Sequence, residues 1–188
     1  LAVLGPALAL GVLAGMSATS EVLPVLAWIN AVPFGKVDPV FGLDYKFFVF
    51  ELPVWQSLLS FLLAAVAFGL IASGVVHFAM GALRAGRSAT RPQLAPNARV
   101  HLSMLIGALL VLYGLQCLLD RFALMLTQGT LFTGVHYTDD HARIGAKLVM
   151  AVISFLVAGL FFANPIIKRT IYPAAALVLM VISGLILT

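Results

Sequence analysis

The sequence predicts an all-α protein, a polytopic bundle of about five transmembrane helices. Of its 188 residues, 62% are hydrophobic and 10% are charged, whereas soluble domains carry about 25% charged residues. The mean hydropathy is +1.10. Backbone polar groups in lipid must be satisfied inside the protein, and a helix does so within one segment. Two further observations support this fold class: the length of the apolar segments and the distribution of charge between them.

Five apolar segments approach the about 20 residues that a helix needs to cross a bilayer. They cover residues 1–18, 54–83, 100–119, 144–163 and 171–188. Pro53 suits the first turn of the second helix, and the pair Asn164 and Pro165 is expected to end the fourth. The chain begins inside an apolar run without an initiator Met, so we expect a piece of a longer polypeptide that forms one membrane domain over residues 1–188.

Charged side chains sort into alternate loops. The loop 84–99 contains four arginines and no acid, and the turn 164–170 contains Lys168 and Arg169. All seven acidic residues lie in the loops 19–53 and 120–143. Because cytoplasmic loops keep an excess of Lys and Arg, we expect the loop from Arg84 to Arg99 in the cytoplasm. The chain would then be a multi-pass protein of a bacterial cytoplasmic membrane.

Small residues recur at four-residue spacing in the first two spans. Close approach through small side chains drives helix association in lipid, where the hydrophobic effect does not. We therefore predict helix-packing seams, with a lipid or cofactor groove as the alternative. The residues concerned are Gly11 and Gly15 in the first span, and Ala65, Gly69, Ser73, His77 and Gly81 in the second.

The segment 22–34 is apolar but too short to cross a bilayer and contains two prolines. We expect it to lie at the membrane interface with Trp28 at headgroup depth. The following stretch DPVFGLDYKFFVFELP, residues 38–53, combines acids, prolines and aromatic rings. It is either a binding site or an interfacial loop.

Two groups of histidines are candidates for cofactor chemistry. The stretch HYTDDHAR, residues 136–143, would supply a divalent metal with His136, Asp139, Asp140 and His141. Capping explains its acids without a metal, since Thr138 or Asp139 can begin the fourth helix and Asp139 can pair with Arg143. His77 and His101 are predicted near the cytoplasmic ends of their spans, where they could face each other; a heme pair would require them deep in the bundle.

Catalytic motifs are missing from the sequence. Asp, Glu and Arg do not occur in the middle of any span, and there is no HExxH, G-x-S-x-G or P-loop pattern. We therefore expect no catalytic residue, no bound cofactor and no metal. Nucleic acid is not expected as a partner, because the excess of positive charge lies in the loops that connect the membrane spans.

The amino-acid sequences of the loops resemble those of a bacterial uncharacterised protein family numbered 0182. The resemblance is carried by FGKVDPVFGLDYKFFVFELPVW, LLDRFALML and FTGVHYTDDHARIGAKLVM, in that order. It implies the later part of a multi-helix membrane domain, followed in the family by a large extracytoplasmic region. The matching residues are Asp38, Pro39, Phe41, Asp44, Phe47, Phe50, Leu52, Pro53, Asp120, Arg121, Thr133, Gly134, Tyr137, Thr138, Asp139, Ala146 and Lys147.

The function expected from these observations is not enzymatic. The chain would anchor an extracytoplasmic region and pack against partner membrane proteins in a cell-envelope assembly. Its partners would be membrane lipids and either other membrane subunits or its own extracytoplasmic region. The alternative is a transporter or lipid-handling conduit, which would require a continuous groove between the spans.

Overall fold

The computed structural model describes residues 11–12, 15, 19–80, 83–84, 93–94, 96–126, 143–167 and 171–187. These residues belong to two compact units, Leu1–Leu58 and Leu59–Thr188. Five α-helices are present in the described part: α1 Val22–Ile29, α2 Leu52–Ala79, α3 Pro96–Ala123, α4 Ile144–Ile167 and α5 Ile171–Leu187. Two-residue strands, β1 Leu83–Arg84 and β2 Gln93–Leu94, pair antiparallel. The all-α prediction is confirmed.

Three helical segments are long and apolar enough to cross a bilayer. They are Phe47–Ala79, Pro96–Ala123 and Ile144–Pro165, and they correspond to the second, third and fourth predicted spans. The fifth predicted span forms α5, whose 17 residues include a shorter apolar helix, Pro173–Leu185. The first predicted span lies outside the described residues, except for positions 11, 12 and 15.

Pro53 lies in the first turn of α2, as expected, although the helical segment begins earlier. A π-helical turn, Phe47–Glu51, precedes α2 without a break. Within it the Leu52 N–H donates to the Phe47 carbonyl, five residues earlier. A proline ring collides with the carbonyl four residues before it, and a wider turn is a common way to relieve such a collision. The helical segment therefore begins before the proline.

The pair Asn164 and Pro165, expected to end the fourth helix, lies just before its last two residues. Pro165 lies inside α4, which continues to Ile167. Pro165 has no N–H to donate to the helix, yet the helix continues for two residues beyond it. The Asn164 side chain is only 2% exposed and donates from Nδ2 to the Ser103 hydroxyl at 2.6 Å. This contact ties the end of α4 to α3.

The core of the second unit is the contact between α3 and α4. The buried residues of α3 include Ser103, Gly107, Leu110, Gly114 and Cys117, which alternate at spacings of four and three. A Cβ added to Gly107 would lie 2.7 Å from the Phe162 ring, and one added to Gly114 would lie 2.7 Å from the Phe155 ring. The two glycines thus make room for two phenylalanines of α4.

Hydrogen bonds reinforce this contact. The buried Ser154 hydroxyl of α4 donates to the Leu110 carbonyl of α3 at 2.7 Å. Polar side chains between membrane helices contribute about 0.6 kcal/mol on average. Helix α5 packs against α4 through buried Met180, and a Cβ on Gly184 would lie 3.3 Å from the Met150 Cε.

Replacing Gly107 with Ala should destabilise the protein, because the new methyl group has to displace the Phe162 ring. We expect a loss of about 1–3 kcal/mol of unfolding free energy, measured by unfolding in mild detergent. Gly159→Ala on α4 is the matched control, because its Cβ meets nothing within 4 Å.

The double variant Gly107→Ala with Phe162→Leu should recover part of the loss, since a smaller side chain relieves the collision. Equal stabilities for Gly107→Ala and Gly159→Ala would contradict the proposed seam.

Candidate functional site

The most highly organised polar structure is a loop closed by two aspartates, Phe34–Lys46, which we call the aspartate loop. Its tip is held by Asp38, whose Oδ2 accepts hydrogen bonds from the Val40 N–H at 3.0 Å and the Phe41 N–H at 2.7 Å. The Asp38 N–H donates to the Leu43 carbonyl at 2.8 Å, and the Gly42 N–H donates to the Asp38 carbonyl at 2.9 Å. Pro39 and Gly42, with φ of +66°, suit this turn. Asp38 therefore stabilises the turn at the tip of the loop.

Asp44 closes the base of the same loop. Its Oδ1 accepts from the Lys46 N–H at 2.8 Å and the Phe34 N–H at 3.1 Å, and its Oδ2 accepts from the Gly35 N–H at 2.9 Å. These donors, the Lys46 amide above all, hold the pKa of Asp44 below its ordinary value despite an opposing contribution from desolvation. Gly35 has a φ of +68°, which only glycine adopts readily.

Aromatic rings connect the aspartate loop to the beginning of the following helix. Phe34 stacks on Phe50 with centroids 5.9 Å apart, and Phe41 lies 6.3 Å from buried Phe48. The Asp38 side chain is enclosed, with 1% of its surface exposed. Its Oδ1 receives no hydrogen bond from any residue the structure describes. Both carboxylates accept hydrogen bonds from backbone N–H groups and so fix the conformation of the loop.

A second polar group joins α3 to the start of α4. The Lys147 ammonium donates to Asp120 Oδ2 at 2.8 Å, and the Gln116 amide donates to Asp120 Oδ1 at 3.1 Å. About a third of the surface of each charged side chain remains exposed. The neighbouring Arg121 guanidinium lies 4.6 Å from the centre of the Phe122 ring. The sequence placed Asp120, Arg121 and Lys147 in one motif, and the structure brings Asp120 and Lys147 into contact.

His77 and His101 do face each other, as their predicted positions suggested. His77 Nε2 lies 3.3 Å from His101 Nδ1, and the Ser73 hydroxyl lies 3.0 Å from the same nitrogen. His101 is exposed in the described part of the chain. These contacts link α2 to α3 by hydrogen bonds.

The predicted small-residue stripe of α2 does not lie on one face. Ala65 and Gly69 are exposed, and a Cβ on Gly69 would meet nothing within 4 Å, whereas Ser73 and His77 contact His101. A four-residue step advances about 40° beyond each helical turn, so the stripe winds around the helix. Packing through Ala65 and Gly69 stays a prediction.

Several predicted positions lie outside the described residues. These are Gly81, Tyr137, Thr138 and the metal candidates His136, Asp139, Asp140 and His141. Gly11 and Gly15 are helical and exposed, with nothing within 4 Å of an added Cβ. Within the described ranges, no group of three or more His, Cys, Asp or Glu side chains is arranged to hold a metal ion.

A cavity of about 200 Å³ lies among α3, α4 and α5. It combines the apolar side chains of Met150 and Leu124 with the basic side chains of Lys147 and Arg143, together with Tyr113, Cys117, Ala146 and Gly184. The sequence did not indicate this cavity, because its lining residues come from separate helices and form no local motif. The spacing of Arg143, Lys147 and Met150 on one side of α4 was the available signal.

Exchange of Asp44 for Ala should open the base of the aspartate loop, because three backbone N–H groups lose their acceptor. We expect faster amide hydrogen exchange at Gly35 and Lys46, corrected for intrinsic rates. Glu21→Gln is the control, since the Glu21 side chain caps no helix.

The pH dependence follows from the lowered pKa of Asp44. The ionised carboxylate stabilises the loop fully above the unfolded-state value near 3.8, and this contribution disappears as the pH falls through the lower folded-state value. Protection of Gly35 and Lys46 should therefore persist at about pH 4 and decline below it. Loss of protection between neutral pH and pH 5 would contradict this assignment.

Comparison with known proteins gives a consistent family assignment. The model of the uncharacterised protein family UPF0182 matches residues 1–188. The chain is 39% identical to a UPF0182 protein of Saccharopolyspora erythraea over 184 residues, which cover 97% of this chain and 19% of the relative. It is 38% identical to UPF0182 protein Rv0064 of Mycobacterium tuberculosis, with the same coverage. A UPF0182 protein of Thermobifida fusca is 37% identical over 178 residues, which cover 95% of this chain and 17% of the relative. No solved structure matches the chain.

Proposed function

Because this chain belongs to the uncharacterised protein family UPF0182 and spans about a fifth of its relatives' length, we propose that it anchors a longer protein in the membrane. The domain has no catalytic role in this proposal. It holds an extracytoplasmic region and packs against other membrane helices in the bacterial cell envelope. The family assignment supplies no activity, so the proposal rests on the surfaces of the helices.

The observation that carries the proposal is the uneven burial of α2. Phe61, Phe68 and Val75 are spaced seven residues apart and are 55–62% exposed. Ala65 and Gly69 are exposed on the neighbouring positions of the same side. The less exposed positions, Ser73 and His77 among them, lie towards α3.

A surface of small residues between aromatic ones suits another helix better than lipid. Glycine and alanine allow two helix backbones to approach closely, and the flanking rings then fill the groove on either side. We assign this surface to a membrane helix from the remainder of the longer polypeptide. The relatives have ample length to supply it, since about four-fifths of each lies beyond the matched region.

The orientation in this proposal follows the distribution of charge. The loop 84–99 carries arginines without acids, which favours the cytoplasm. The aspartate loop precedes the membrane-length segment Phe47–Ala79, and it would then face the extracytoplasmic region. Its backbone is fixed by Asp38 and Asp44, so docking on it would require little ordering of the loop.

A transporter or lipid-handling conduit is the second candidate, and the cavity among α3, α4 and α5 favours it. Its volume of about 200 Å³ is below the about 300–1,000 Å³ of a typical small-molecule pocket, so we rank this candidate second.

Photo-crosslinking in the full-length protein tests the packing surface. A benzoylphenylalanine probe at Phe68 should crosslink to a peptide from another membrane helix of the same polypeptide, located by mass spectrometry. The matched probe replaces Leu156, which is 68% exposed on α4 and should crosslink to lipid. Gly69→Leu should abolish the peptide crosslink by blocking close approach.

Lipid crosslinks alone from Phe68 would contradict the packing proposal. A crosslink to a separate protein would replace the assigned helix with a partner subunit.

A further inference from the structure

Three side chains of α2 and α3 bring their polar atoms together. His77 Nε2 lies 3.3 Å from His101 Nδ1, and the Ser73 hydroxyl oxygen lies 3.0 Å from the same nitrogen. The imidazole planes are inclined at 77° with their centroids 5.6 Å apart, so the rings are not stacked. Two nitrogens and one oxygen therefore converge between the last turn of α2 and the second turn of α3.

Hydrogen bonding alone does not fully satisfy the two neighbours of His101 Nδ1. A nitrogen of a neutral imidazole carries either one lone pair or one N–H group. In either tautomer of His101, the Ser73 hydroxyl and His77 Nε2 therefore compete for one position. A cation among the three atoms would remove this competition, because each atom could direct a lone pair towards it.

The distance between the two nitrogens indicates which metal ion fits. With Zn–N bonds of about 2.0–2.1 Å, two ligands of a tetrahedral ion are about 3.3–3.4 Å apart. Adjacent ligands at right angles, as in the tetragonal sites of Cu²⁺ or Ni²⁺, would be about 2.9 Å apart at the same bond length. The 3.3 Å between His77 Nε2 and His101 Nδ1 therefore matches tetrahedral Zn²⁺.

The surroundings of the three side chains permit a hydrated cation. No Asp or Glu occurs between Leu52 and Leu119, so two neutral imidazoles would leave the ion with its full charge. His101 is exposed, and water at the site lowers the cost of holding that charge. Arg99 precedes His101 by two residues and lies about 200° away around α3, which separates the two side chains.

We propose that Ser73, His77 and His101 form a zinc site that joins α2 to α3. The two imidazole nitrogens are the principal ligands, the Ser73 hydroxyl adds a weaker oxygen ligand, and water completes the tetrahedral set. The sequence predicted no metal here, because the two histidines lie 24 residues apart and match no common ligand spacing. The site is independent of the proposed packing of α2, since it lies on the side towards α3.

Zinc titration of the full-length protein in detergent tests the proposal. The probe is Zn²⁺ alone, added after treatment with a chelator, and its affinity is measured by competition with a chromophoric chelator. The parent protein should bind one more zinc ion than His101→Gln. Loss of a second-shell partner costs about 10–100-fold in metal affinity, so loss of a ligand should weaken binding at this site by at least about a hundredfold.

Matched variants separate this site from the other histidines of the chain. The double variant His136→Gln with His141→Gln removes two imidazoles from the loop 120–143 and should bind zinc as the parent does. His101→Cys exchanges one zinc ligand for another and should retain the ion. Co²⁺ in place of Zn²⁺ should give the intense visible absorption of tetrahedral cobalt in the parent, and this absorption should be lost in His77→Gln.

Chemical modification of the parent protein tests the same ligands without a variant that could fail to fold. Diethylpyrocarbonate modifies accessible imidazoles, and mass spectrometry locates the modified residues. Zn²⁺ should slow the modification of His77 and His101 and leave the rates at His136 and His141 unchanged.

Four results would overturn the proposal. Zinc binding by His101→Gln as tight as that of the parent would place the ion elsewhere. Loss of zinc from the double variant alone would assign it to the loop 120–143. Equal modification of His77 and His101 with and without Zn²⁺ would exclude both as ligands. The weak absorption of octahedral cobalt in the parent would exclude the tetrahedral set.

Discussion

The arrangement depends on one constraint, the inability of the hydrocarbon core to supply hydrogen bonds to a polypeptide backbone. The three apolar segments of 33, 28 and 22 residues each exceed the about 30 Å of hydrocarbon at about 1.5 Å per residue. Burial of apolar area does not bring such helices together, because lipid is equally apolar. The fit between helix surfaces determines which helices associate, and this fit favours the pair α3 and α4.

The contact between α3 and α4 positions the other features of the second unit. Gly107 and Gly114 admit phenylalanine rings from α4, and Ser154 and Asn164 add hydrogen bonds across the same seam. The packing sets Lys147 against Asp120 and leaves a cavity where α5 joins the pair. The ion pair and the cavity are thus consequences of how two helices approach each other.

Hydropathy and the amino-acid sequences of the loops predicted the fold class, three spans and the family. They did not predict which small residues form the seam. The four-residue stripe through Ala65 and Gly69 predicted a seam, but positions spaced by four drift around a helix of 3.6 residues per turn. The alternating spacing of four and three from Ser103 to Cys117 stays on one side, and that pattern was the better signal. The phenylalanines that pack over Gly107 and Gly114 come from another helix, so no local pattern identifies the contact.

The aspartate loop also depends partly on local residue preferences and partly on contacts between residues distant in sequence. The turn at Asp38, Pro39 and Gly42 follows from local residue preferences. The hydrogen bonds that the Phe34 and Gly35 N–H groups donate to Asp44 depend on how the chain returns across nine or ten residues. These bonds give both aspartates a structural role in holding the backbone of the loop.

The most direct test of the membrane arrangement is cysteine labelling in whole cells. Two variants would be made separately in a full-length protein whose native cysteines are replaced: Val37→Cys in the aspartate loop and Ser88→Cys in the loop 84–99. An impermeant maleimide should label position 37 in intact cells and position 88 only after permeabilisation. Labelling of position 88 in intact cells, or of both positions equally, would contradict the account.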